Sequence, residues 1–143
     1  MRAHPPPPGG RGQALVETVV TLPIMIVLFL GFLGAGVAAQ GYVDLNTAVV
    51  LAAAANATAY ADDRVDADRF ATSTFQATVG HDSLLRSQGL SCSGDYAAGG
   101  TVTCRGSAVL EFSRTPLAVV IPFDPTITAQ ASAMRSPYRS DRP

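Results

Sequence analysis

The chain has 143 residues, enough for one small domain beyond a membrane segment and not for several domains. Its formal net charge is −1, which excludes the strongly basic footprint of a nucleic-acid binder. Two cysteines are too few for a self-contained zinc site, and all ten cations are arginine, which reflects base composition more than mechanism.

Residues 1–12 read M-R-A-H-P-P-P-P-G-G-R-G. Four prolines and three glycines leave nothing to fill a core, so an extended, disordered cytoplasmic leader is expected. From Thr18 to Ala39 no residue is ionisable, and most are Val, Leu, Ile, Phe or Ala. About 20 such residues in a helix span a bilayer core, and only a helix satisfies the backbone there. A transmembrane helix is therefore expected over 13–40. Arg2 and Arg11 precede it and no cation follows before Arg64. The positive-inside rule then leaves the N-terminus in the cytoplasm and the C-terminus outside.

Glu17 breaks the pattern. It is one of two glutamates in the chain and stands at the entrance of the apolar run. A carboxylate there is costly and calls for a partner. Cleavage after Gly12 would supply one. Gln13 would then carry a cationic α-amine, and Glu17, as fifth residue, would lie about one turn away or reach the amine of a staggered neighbour. In Gly12-Gln13-Ala14-Leu15-Val16-Glu17, followed by an apolar run with its early Pro23, the sequence resembles the TadE-like minor pilins (pseudopilins) of the tight-adherence, or Flp, pilus system. The resemblance implies a precursor cut by a prepilin peptidase, with other pilins, the assembly machinery and the lipid bilayer as partners. It implies no cofactor. The ending, an apolar Pro-bearing loop followed by I-T-A-Q-A-S-A-M-R, is similar to the terminal strand of many such chains.

Two other readings stay open. An ordinary secretory signal would be cut near Ala39, but its apolar stretch is normally shorter and gains nothing from an acid at its entrance. An uncut single-pass anchor carrying an extracytoplasmic binding domain would keep Met1 or Arg2.

Beyond the span, Tyr42 to Tyr60 is alanine-rich, with Leu45, Val49, Ala52 and Ala53 at helical spacing. The helix should continue outward over 41–63, reaching about 70 Å in all. Pro23 should kink it. Gly31, Gly34, Gly36 and Gly41 offer either close packing or a flexible joint near Gly41. Asp62-Asp63-Arg64 should end it, and Asp63 or Asp66 should cap a second helix over Asp66 to Val79. That helix should share Phe70, Thr74, Phe75 and Thr78 on one face and stop at Gly80. Its acids lack the order of a calcium loop, so capping and solvation explain them.

His81 to Gly89 reads as a polar connector. Strands are expected at Thr101 to Cys104, Ser107 to Phe112 and Thr126 to Met134, with S-G-D-Y-A-A-G-G as a hairpin turn and Thr115 to Pro125 as a proline-bracketed apolar loop. Outside the cytoplasm Cys92 and Cys104 can form a disulfide across that hairpin. Its loop closure would contribute roughly 3 kcal/mol. The predicted class is α+β: the long helix, then a small antiparallel sheet domain over 64–134, then a loose tail over 135–143.

Nothing frames catalysis. His4 and His81 stand in the leader and a connector. Ser91, Ser93 and Ser107 lack the nucleophile-elbow context. Gly99-Gly100 belongs to a turn and not to a phosphate loop. Asp44 reads as an interfacial polar residue. A structural, non-enzymatic role is expected.

Overall fold

The computed structural model describes residues 10–59, 64–80 and 84–137, with the side chains of the first helix from Val16 onward. The leader up to residue 9, Asp62, Asp63 and His81 lie outside the described residues. The fold is α+β. A first helix α1 spans Gly10–Thr58, and a second, α2, spans Arg64–Val79. Strands β1 (Leu85–Gly94), β2 (Thr101–Leu110) and β3 (Thr126–Met134) form an antiparallel sheet in the order β1-β2-β3.

α1 is one unbroken helix of 49 residues, about 70 Å long. It already includes Gly10 to Gly12, which the sequence placed in an extended leader. Pro23 lies inside without ending it. Glycines and a proline cost helix stability in water, but in hydrocarbon no other partner exists for the backbone. Near Gly41 the helix continues and shows no joint. Gly34 and Gly41 are instead docking points: a Cβ at Gly34 would come 2.5 Å from Cδ1 of Ile121, and one at Gly41 2.7 Å from Cδ2 of Leu110.

The core lies between the outer part of α1, α2 and one face of the sheet. Leu45, Ala48, Val49, Ala52 and Ala53 of α1 meet Ala71, Phe75 and Val79 of α2. Val102, Cys104, Ala108 and Leu110 of β2 close the far side. The buried row of α2 is Ala67, Ala71, Phe75 and Val79, spaced by four. The expected row is thus corrected. Phe70 is 53% exposed, and the hydroxyls of Thr74 and Thr78 return to their own helix carbonyls. Small alanines let α2 approach the alanine face of α1, and Phe75 and Val79 fill volume. Asp66 is a first-turn residue paired with Arg69 at 3.4 Å, not a cap.

Gly106 joins the two expected β runs into the single strand β2. A Cβ there would collide with Val49 and crowd Phe75 at 3.2 Å, so both helices reach the sheet at this point. β1 starts at Leu85, inside the expected connector. Alternation is lost there because a bulge lies between Arg86 and Gly89, with Ser87 at φ 50°. β3 matches its expected bounds.

Arg135 is not part of a loose tail. It is 3% exposed. Its guanidinium donates to the carbonyls of Tyr96 (2.7 Å) and Ala59 (3.3 Å). A cation at the last carbonyls of α1 is favourably placed against the helix dipole.

Candidate functional site

Every residue from Val16 to Phe29 is exposed, and the first buried position among the described side chains of α1 is Gly34. The eighteen residues from Val16 to Leu33, none of them buried, measure about 27 Å, close to the ~30 Å hydrocarbon layer of a bilayer. Val16, Val19, Leu22, Met25, Leu28, Phe29 and Phe32 are all more than half exposed. By length and composition this is a candidate membrane span. Water does not tolerate a bare apolar surface of that extent in a stable monomer.

Glu17 is exposed near the start of this stretch, bordered by Thr18, Thr21, Leu22 and Met25. Gly12 and Gln13 lie in the opening turns of the same helix. Gln13 and Glu17 are four apart, so they share a helix face. Gly34 lies seventeen residues beyond Glu17, about 25 Å along the axis. The structure therefore does not bring Glu17 near the disulfide or any other polar group of the outer domain.

The disulfide between Cys92 and Cys104 is formed. The two cysteines are direct partners in the β1–β2 register, with Cα atoms 4.0 Å apart. Cys104 belongs to the core and Cys92 packs against it, so the bridge lies on the helix-facing side of the sheet. Asp44 is half-buried and borders a cleft with Val37, Gln40, Gly41, Leu84 and Leu110. Past this cleft α1 still shows Tyr42, Val43, Val50 and Leu51 to the outside. Val43 and Val50 are seven apart and share a face.

A polar cluster that sequence reasoning missed ties the far end of the domain together. Asp68 accepts hydrogen bonds from the Asn56 side-chain amide and the Tyr96 hydroxyl, each at 2.8 Å. Arg64 stands 3.6 Å from the other Asp68 oxygen. The guanidinium carbons of Arg64 and Arg135 lie 5.2 and 5.7 Å from the Tyr96 ring centre. Burial raises the Tyr96 phenol above its ordinary value of 10.0, and the hydrogen bond to the Asp68 carboxylate adds to the shift. Asn56 is fully buried, and its amide oxygen lacks a hydrogen bond among the described residues. One signal was available: an asparagine on the otherwise apolar face of Ala52 and Ala53 needs a buried partner.

Acids elsewhere serve the loops. The Ser113 backbone N–H and hydroxyl donate to Asp124 at 2.9 and 2.8 Å, and the backbone bond is the main cause of a lowered Asp124 pKa. Glu111 bridges Arg86 (3.2 Å) and Arg114 (3.0 Å). Among the described residues no group of three His, Cys, Asp or Glu side chains is arranged to hold a metal ion. No protein-family model, curated protein or solved structure matches this chain.

Proposed function

We propose that this chain is a structural component of a tight-adherence (Flp) type pilus assembly, made as a prepilin and cut after Gly12. The observation that carries the reading is one unbroken helix in which no residue from Val16 to Leu33 is buried. That stretch is predominantly apolar and has Glu17 as its only ionisable residue. A rod of this kind is stored in the bilayer. It leaves only when its apolar surface is reburied against other rods. The N-terminus is then cytoplasmic and the α+β domain extracytoplasmic.

Glu17 sets the register in such a bundle. An unpaired charge there costs on the order of several kcal/mol. The α-amine of Gln13, freed by the prepilin peptidase, neutralises it in the same helix or a neighbouring one. Gly10 and Gly12 serve the cleavage. Each weakens the helix by about 1 kcal/mol relative to alanine, so the opening turns can unwind into a peptidase. The role is one of assembly and not of catalysis.

N-terminal sequencing of membrane-derived protein tests the reading. Gln13 as first residue is the expected outcome. Met1 or Arg2 would instead identify an uncut anchor for a binding domain, and a start near Gln40 a secreted domain. Gly12→Leu should leave a precursor longer by the twelve-residue leader, measured by mass spectrometry. Glu17→Ala should be processed and inserted normally but should assemble poorly. Normal surface piliation by that variant would remove Glu17 from the mechanism.

A further inference from the structure

Pro116 to Phe123 reads P-L-A-V-V-I-P-F, with no polar side chain in eight residues. It begins with a 3-10 turn over Pro116–Val119, capped by the Thr115 hydroxyl. Its base is polar on both sides. Ser113 is clasped to Asp124, and the exposed Arg114 pairs with Glu111. Leu117 and Ile121 turn inward against the core cluster. Val119 and Phe123 point away from it, 86% and 64% exposed. A tight loop that presents a valine and a phenylalanine outward, above a charged collar, suits an apolar medium and not water.

The place of the loop along α1 says which medium. Ile121 meets the helix at Gly34, inside the apolar run Thr18 to Ala39. Leu110, near the collar, meets it at Gly41, seven residues and about 10 Å further out. The loop therefore stands beside the outer end of the candidate span, not above it.

We infer that Pro116–Phe123 is a second membrane contact, with Val119 and Phe123 inserted among the outer-leaflet lipids and Arg114 at headgroup level. The contact rests on the reading of α1 as a membrane span and is independent of its assembly into a pilus. It uses the chemistry of interfacial anchors, an aromatic and aliphatic tip beside a rim of charged side chains that includes Arg114. It holds the domain down against the bilayer, so that the sheet and α2 keep one orientation toward the surface.

The test uses the full chain in vesicles of phosphatidylethanolamine and phosphatidylglycerol. Val119→Cys, Val27→Cys and Ser132→Cys are each labelled, under non-reducing conditions that keep the Cys92–Cys104 bridge, with a fluorophore sensitive to polarity. Lipids carrying a quencher near the headgroup or near the chain end then report depth. The Val27 label should be quenched most by the deep lipid. The Val119 label should shift to the blue and be quenched most by the shallow one. The Ser132 label, on the exposed side of β3, should respond to neither. Phe123→Cys repeats the measurement should the first variant fold poorly. A Val119 label that behaves like the Ser132 label, beside a deep Val27 label, overturns the loop contact and leaves the span standing. A blue-shifted Val119 label that no lipid quenches assigns the tip to a protein neighbour and also overturns it. A Val27 label untouched by either lipid overturns the span, and the loop contact with it.

Discussion

From Val16 to Phe29 the first helix is exposed on every side; from Leu45 to Ala57 it is buried wherever it turns toward α2 and the sheet. Both stretches are apolar and both are helical, yet they are built from different residues. Beyond Glu17, Thr18 and Thr21 at its start, the first uses mainly Val, Leu, Ile, Met and Phe, spread around the axis. The second uses mainly alanine, interrupted by Asn46, Thr47, Asn56 and Thr58, and so has a preferred face. Large side chains on all sides suit a fluid apolar solvent that fills any shape. Small side chains on one side suit a solid partner, because they let another backbone come close. Hydrophobicity alone does not separate a lipid-facing helix from a core helix; side-chain size and its distribution around the axis do.

The comparison is sharpest where the same kind of truncation is made on each side of it. Phe75→Ala removes the largest side chain of the closed core and should cost the domain about 3–5 kcal/mol. Leu28→Ala, at a position 64% exposed, should leave domain stability within about 0.5 kcal/mol. Urea unfolding of the full chain in mild detergent, followed by tyrosine fluorescence, measures both. Equal effects would mean that the two halves of α1 are not distinct environments.

Reduction of the Cys92–Cys104 bridge should lower the same unfolding free energy by roughly 3 kcal/mol through loop closure. The far-ultraviolet circular dichroism of the bare helix should stay unchanged. Gly106→Ala should cost about 1–3 kcal/mol, because Val49 is stiff and cannot swing away from the new methyl group. Gly31→Ala, with nothing within 4 Å of its Cβ, should be tolerated.

Tyr96→Phe should have a modest effect, about 1 kcal/mol for the lost hydrogen bond to Asp68. It also carries a pH signature. The phenol is raised in the folded state, so its contribution is fully present below the ordinary value of 10.0. That contribution is lost as pH rises through the folded value. The native protein should therefore lose stability in alkali more steeply than Tyr96→Phe does, read as urea midpoints at neutral and alkaline pH.

Much of this molecule was legible in advance because its signals are local. An uncharged apolar run of this length favours a helix, whatever surrounds it. Thr126 to Met134 alternates cleanly, and Cys92 and Cys104 bracket a turn-rich segment, so strand and bridge could be read directly. The expected row of α2 failed at Phe70. Two phenylalanines five apart cannot share a face, and the alanines at 67 and 71, whose fit depends on the opposing surface of α1, decided which one went in. β1 was hidden because an edge strand with a bulge carries no period. Arg135 was hidden because its partners, the carbonyls of Ala59 and Tyr96, are distant in the chain.

By itself, then, the amino-acid order determined a long apolar helix, the acid at the entrance of its apolar run, the small α+β class and the cross-strand cysteine pair, all consequences of composition and short-range spacing. Only the tertiary structure decided where the domain begins to cover that helix, at Gly34. It alone decided that Gly106 stands where two helices meet the sheet, and that Asn56, Asp68, Tyr96 and Arg135 close the far end. Those features depend on which surfaces come within contact distance, and contact between remote segments leaves no periodic trace along the chain.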